Sequence, residues 1–211
     1  LRTVVPPLAN GPGDKELCYF YTYDERKRMI SKKLPGAESV YMVYDKRDRL
    51  VLTQDGNMRN ESTTAANKYM FIRYDEYNRP AMTGELVTSN SLETIRTLFK
   101  NDKNYVPYEE YTGSGTYGYT SQSYPSGIVI TSSEIETLTW YDTYDFVSDL
   151  NLNASLNYYS TNLPSGFETT ASNKTKGLAT GGMVKAFDVS GSGYNMANNK
   201  MYSVSYYDNY G

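Results

Sequence analysis

From residue 17 to residue 88, short apolar runs alternate with polar clusters at nearly regular intervals. Leu17, Tyr19, Tyr21 and Tyr23 fall on one face of an extended strand, and Cys18, Phe20 and Thr22 on the other. Both faces are apolar or aromatic, so this strand is expected to be covered on both sides. Asp24 to Lys27 reads as a turn and Arg28 to Leu34 as a second strand. Pro35-Gly36 suits a type II turn, with Pro preset for the first corner and Gly supplying the positive φ of the second. Val40 to Tyr44 and Arg49 to Thr53 read as strands around a turn at Asp45 to Asp48. A turn at Gln54 to Asn57 and a polar loop from Arg59 to Asn67 follow. Tyr69 to Tyr74 and Arg79 to Val87 form another hairpin around Asp75 to Asn78.

The pattern changes after residue 88. Leu92, Ile95, Leu98 and Phe99 have helical spacing, with Ser91 as N-cap and Glu93 in the first turn, which predicts one short helix over 92–100. Residues 102–127 are rich in Tyr, Gly and Ser and read as a long loop. Ile128 to Ile130 and Glu136 to Tyr141 are strand-like. Residues 143–174, rich in Asn, Ser and Thr, show little periodicity and read as loop. A strand pair is expected over 177–189 and a last strand over 201–207. The expected fold is mainly β: antiparallel hairpin repeats in a twisted or curved sheet, one short helix and long irregular loops. Three regions result: a turn-rich lead-in over 1–16 with at most one loose edge strand, regular hairpins over 17–88, and a degenerate β region over 89–211.

The hairpins repeat a motif. Tyr21-Thr22-Tyr23-Asp24 leads through a turn to Arg28; Tyr44-Asp45 leads likewise to Arg49, and Tyr74-Asp75 to Arg79. The spacing is 21 residues from Tyr23 to Tyr44 and 30 from Tyr44 to Tyr74, the excess fitting the polar loop before Tyr69. Tyr141-Asp142 is a degenerate unit, and Tyr207-Asp208 starts another that ends at Gly211 where Arg is due. Such self-similarity marks units that bury their faces on their neighbours. The Asp can accept backbone N–H groups of its turn, and the Arg can pair with the Asp of its own or a neighbouring hairpin. The fourth turn position calls for a left-handed residue. Gly211 suits it, Asp48 and Asn78 suit it less well, and Lys27 does not, so the first turn is expected to be strained or differently built.

Composition narrows the chemistry. The chain has 211 residues, 23 Tyr but 6 Phe and 1 Trp, and a net charge of −3. Tyr, with an apolar ring and polar tip, favours a half-buried sheet surface. The mixed, slightly acidic charge argues against a nucleic-acid partner. The densest basic stretch, around Arg26 to Lys33, is diluted by Asp24 and Glu25 and reads as a solvated face. There is no histidine, and Cys18 stands alone in an apolar run, which excludes Ser-His and Cys-His catalysis, HExxH sites and internal disulfides. No metal or cofactor is expected. No apolar run is long enough for a helical membrane span. Asp142, Asp145 and Asp149 lack the Gly and bidentate Glu of a calcium loop, and only pairs such as Asp142/Asp145 could serve acid–base chemistry of the glycosidase type. Three glycosylation sequons, at Asn60, Asn153 and Asn173, read as chance matches in an Asn/Ser-rich chain.

These motifs resemble the RHS/YD-repeat family, whose unit runs approximately Tyr-x-Tyr-Asp-x-x-Gly-Arg-Leu before a stretch ending near Pro-x-Gly. Here it reads Tyr21-Thr-Tyr-Asp-Glu-Arg-Lys-Arg-Met-Ile, then Leu34-Pro35-Gly36. The match covers 17–88, weakens at Thr137 to Asp142 and returns at Ser203 to Gly211. Departures are Lys27, Asp48 and Asn78 at the Gly position, Met29 and Pro80 after the Arg, and the insert at 89–130. The resemblance implies a strip of β-hairpins which, in the family, winds into a hollow shell or surface scaffold that encloses a C-terminal effector in toxin complexes and serves adhesion in teneurins. It implies a non-enzymatic fragment of a larger chain, at the cell surface or secreted. Its expected partners are the remaining repeats and an enclosed effector or surface glycan. The rival reading is a carbohydrate- or protein-binding module using the loop at 105–124, where Tyr105, Tyr108, Tyr111, Tyr117, Tyr119 and Tyr124 could stack on sugars; packing between strands is the plainer use of those rings.

Overall fold

The computed structural model describes residues 2–11, 13–60, 66–152, 156–166, 168–186 and 200–209. Its elements run β1 (Thr3–Val4), β2 (Tyr19–Tyr23), β3 (Met29–Lys33), β4 (Val40–Tyr44), β5 (Leu50–Gln54), α1 (Gly56–Asn60), β6 (Asn67–Tyr74), β7 (Pro80–Thr88), α2 (Leu92–Asn101), β8 (Tyr111–Thr116), β9 (Ile135–Tyr141), α3 (Asp145–Asp149), β10 (Ala179–Lys185) and β11 (Lys200–Val204). The chain is mainly β and antiparallel. Tyr23, Tyr44 and Tyr74 each end a strand, as the motif requires.

Two compact units interleave along the sequence. The first comprises 1–72, 84–107 and 124–130; the second comprises 73–83, 108–123 and 131–211. In the first unit the strands lie in the order β1-β2-β3-β4-β5-β6-β7. In the second the order is β6-β7-β9-β10-β11, the β6/β7 hairpin belonging to both.

The first unit buries Val43, Val51, Leu52, Tyr69, Phe71 and Leu86 from its strands, and Ile95 and Phe99 from α2. Burial along β6 alternates strictly, with Tyr69, Phe71 and Arg73 inward. Helix α2 starts where Ser91 Oγ accepts the Thr94 N–H at 3.1 Å, satisfying one orphan donor of the first turn. The second unit buries Met82, Ile135, Leu138, Trp140, Phe146 and Met183. Trp140 stacks on Phe146 with ring centroids 4.4 Å apart. A Cβ on Gly181 would run into the Phe146 ring, so this strand position has no room for a side chain.

Several expectations need correction. Strand β2 is only half-buried, with Thr22 exposed on a sheet face that lacks cover at that position. Two short helices join α2. Helix α1 forms where the Asp55 carboxylate accepts the Met58 N–H at 2.9 Å, and α3 buries the adjacent Phe146 and Val147. The stretch 102–127 is not all loop: β8 lies within it, bridged from Tyr111 and Thr116 to Tyr119. Ile128 and Ile130 are buried without forming a strand; their alternation signals burial rather than pairing. Over 177–186 there is one strand, β10. Residues 187–189, Asn153 and Gly211 lie outside the described residues.

Candidate functional site

The Tyr-Asp motif builds one local structure three times. The Lys27 N–H donates to Asp24 O at 3.0 Å and the Asp24 N–H to Arg28 O at 3.0 Å. The same two bonds tie Asp45 to Asp48 and Arg49, and Asp75 to Asn78 and Arg79. In each turn one carboxylate oxygen accepts two further N–H groups: those of Arg26 and Arg28 on Asp24, of Arg47 and Arg49 on Asp45, and of Tyr77 and Arg79 on Asp75. The other oxygen takes the Nε–H of the motif Arg, at 2.7, 2.8 and 2.6 Å. Each turn closes with a residue at positive φ: Lys27 at 64°, Asp48 at 61° and Asn78 at 68°. This is a type I turn followed by a left-handed bulge residue, and register shifts at Thr22/Tyr23 and Val43/Tyr44 mark the bulge. The first turn is therefore not differently built, and Lys27 simply occupies the left-handed position.

At three junctions, neighbouring hairpins are joined by the remaining parts of the motif. In the first unit, Arg28 reaches forward to Asp45 O at 3.2 Å and the Asp48 carboxylate at 2.7 Å, and its guanidinium lies 5.0 Å from the Tyr44 ring centre. Tyr44 answers by donating its hydroxyl to Met29 O at 2.8 Å. In the second unit, Arg79 grips Asp142 with two nitrogens at 3.1 and 2.5 Å and lies 4.1 Å from the Tyr141 ring centre. Tyr141 donates to Pro80 O at 2.8 Å. The last unit repeats the step, since Tyr207 donates to Ala179 O at 2.7 Å. Met29 and Pro80 follow the motif Arg, and Ala179 follows Leu178, which stands in its place. Tyr21 and Tyr23 are half-buried on β2, and Asp208 is exposed.

Asp142 departs from the tight turns. Its N–H donates to Leu178 O at 3.0 Å, as the other motif Asp residues do to Arg, and its carboxylate accepts the Gly177 N–H. The intervening 143–176 is a long insert in an otherwise ordinary hairpin. The hydrogen bonds from Arg79, reinforced by the Gly177 N–H, hold the Asp142 carboxyl below the usual carboxylate range despite partial burial. That favours a permanent anion over a proton donor. Asp145 is exposed at the start of α3, and no group of three or more metal-ligating side chains occurs among the described residues.

The six loop tyrosines are divided between the units, and most are engaged in packing. In the first, Tyr105 and Tyr124 are buried edge-to-face against Phe99. The Tyr105 hydroxyl is pushed up to about 12 by burial, and the Tyr124 hydroxyl donates to Val51 O at 2.6 Å. In the second, Tyr119 is 2% exposed and donates to Thr139 O at 2.8 Å, while Tyr111 packs edge-to-face on it and donates to Asp149 at 2.7 Å. Tyr117 has a buried hydroxyl and lies under Lys200. Tyr108 is partly exposed. Buried rings present no face to a sugar, so Tyr105, Tyr119 and Tyr124 cannot serve as stacking platforms in this conformation.

Sequence reasoning missed Arg73 and Glu109. Their side chains are 3% and 0% exposed and form an ion pair at 3.1 Å in the second unit. Glu109 also accepts Thr120 Oγ1, the Gln122 and Ser123 N–H groups and Ser123 Oγ. One carboxylate thus fastens much of the 108–123 segment. The available signal was Arg73 itself, a cation at an inward position of β6 in step with Tyr69 and Phe71, which demands a buried anion.

Compared with known proteins, the chain matches no family model, and no curated protein or solved structure matches it significantly.

Proposed function

We propose that this chain is a structural strip of β-hairpins, part of an RHS/YD-repeat shell or cell-surface scaffold, without a catalytic role. The observation that carries the reading is the recurring step between hairpins, in which a Tyr hydroxyl bonds back to the carbonyl at the start of the preceding second strand. The motif side chains spend their hydrogen-bonding capacity on one another and on the backbone, which is what a wall element needs and what a reactive site would avoid. Partners under this reading are further repeats of the parent chain and whatever the assembly encloses or displays, an effector or a surface glycan, with a surface or secreted location. The parent gene tests it: further Tyr-Asp hairpins ending in Arg are expected beyond this segment, and a parent with none on either side removes the proposal. Sugar binding by the loop tyrosines ranks second, because packing already occupies most of those rings. A glycan array with the wild type and a Tyr108→Ala/Tyr117→Ala variant examines it, and no wild-type signal ends it.

A further inference from the structure

In the first unit a pocket of about 460 Å³ opens between β3, β4 and α2, within the size range of small-molecule sites. Ile30 and Met42 line it from the strands and Phe99 from the helix, so much of its wall is apolar. Arg96 of α2 also lines it. Its Nη2 donates to Ile30 O at 2.7 Å and Met42 O at 3.3 Å. Its Nε is buried without a hydrogen-bond partner, and no carboxylate pairs with it among the described residues.

The other charges around the pocket have partners. Asp24 is paired with Arg28, Asp45 with Arg49, Arg26 with Asp48, and Lys100 lies 3.8 Å from Glu25. Lys46 donates to Tyr105 O at 3.2 Å and lies 4.0 Å from that ring's centre. Arg96 is a partly buried cation that hydrogen-bonds to neutral carbonyls and lies 5.9 Å from the Tyr41 ring centre, while Glu93 and Asp24 favour its charge through space without pairing with it. Burial lowers its pKa, which shows the local cost of its charge. A guanidinium in this state gains more from an anion than one in water, because the anion replaces no existing ion pair and the surroundings screen poorly.

We infer that this pocket binds a small organic carboxylate with an apolar body: the carboxylate on Arg96, the body against Ile30, Met42 and Phe99. The inference does not depend on the structural role proposed above, since the pocket lies within one unit. It specifies one negative charge at one end, and a neutral analogue of the same shape should bind poorly.

The probe is 2-naphthoate, with 2-naphthylmethanol as its neutral counterpart, titrated calorimetrically into the full chain. The expected result is saturable one-to-one binding of the carboxylate, weakened by added salt, with the alcohol about tenfold weaker or worse. Arg96→Gln should lose about tenfold or more, and Arg96→Lys should recover part of it. Equal binding of acid and alcohol, unchanged binding in Arg96→Gln, or no binding at millimolar probe overturns the inference. Arg96 also ties two strand carbonyls, so its removal could impair folding. The wild type therefore supplies a second readout: the Arg96 Nε–H proton resonance should shift as the probe saturates, and an unmoved resonance with bound probe counts against the site.

Discussion

The tight turns at 24–28, 45–49 and 75–79 and the long connection at 142–178 perform the same task with very different amounts of chain. All four begin with a motif Asp whose N–H donates to the carbonyl of the residue just before the next strand. In all four the Asp carboxylate accepts an N–H from that far end of the turn. The tight turns add an Arg to neutralise the carboxylate, whereas the long connection carries Leu178 there and takes its cation from Arg79 of the preceding hairpin. Chain length between the anchors therefore changes the cost of the hairpin but not its bonding pattern. Roughly three doublings of loop length add only about 2 kcal/mol of closure entropy. The unit is defined by the bonds of one carboxylate, and its cation can come from either side.

The comparison breaks most visibly where another carboxylate closes a long segment. Glu109→Ala removes five acceptor contacts at once and deprives buried Arg73 of its carboxylate. Losing one partner of a buried pair costs about 3–5 kcal/mol. Urea denaturation should show a loss of that size, and hydrogen exchange at the Gln122 and Ser123 amides should accelerate. Glu109→Gln keeps part of the acceptor set and should fall between. A loss below about 1 kcal/mol for the Ala variant would mean the segment is held by something other than this carboxylate.

A smaller effect separates the long connection from the tight turns directly. Asp142→Ala removes the bidentate Arg79 pair and frees the Gly177 N–H, a loss of about 1–2 kcal/mol after allowance for partial exposure. Acid should reproduce it. The Asp142 pKa is depressed in the folded state, so its stabilising contribution is complete above the unfolded carboxyl value of about 3.9 and is lost as pH falls through the lower folded value. Between pH 5 and pH 2 the wild type should therefore lose more stability than Asp142→Asn, measured by urea midpoint. Parallel curves for the two proteins would show that Asp142 contributes nothing through its charge.

The tight turns were legible because everything they need is local. Asp, a left-handed position and Arg sit within five residues, and alternation placed β2 to β7 to within a residue or two of their observed limits. Helix α2 and its Ser91 cap were legible for the same reason. What escaped was non-local. A motif Arg was expected to pair with the Asp of its own or a neighbouring hairpin, but nothing near Asp142 singles out Arg79, 63 positions earlier, or shows that Gly177 completes its turn. Tyr105, Tyr119 and Tyr124 stood as sugar-stacking candidates beside the plainer reading of packing, and nothing in their polar, glycine-rich segment names the rings or strands they pack on. Their rings meet Phe99, or the β8 region, through contacts that no period along the chain encodes. Arg96 carries no motif either, and only the pocket beside it makes it conspicuous.

The smallest effect lies within the tight turns. Lys27, Asp48 and Asn78 all adopt positive φ near 65°, but Asp and Asn tolerate that region better than Lys does. Lys27 forms no ion pair among the described residues that its replacement would forfeit. Gly is unstrained at this φ but freer in the unfolded chain, and the two effects partly oppose each other. Lys27→Gly should still be net stabilising, by about 0.5–1 kcal/mol, because a non-Gly side chain in the left-handed region costs about 1–2 kcal/mol. Asn78→Gly should gain less. The order of the two shifts in urea midpoint is the critical result: a larger gain at Asn78 than at Lys27 would mean that backbone strain does not set the difference between these turns.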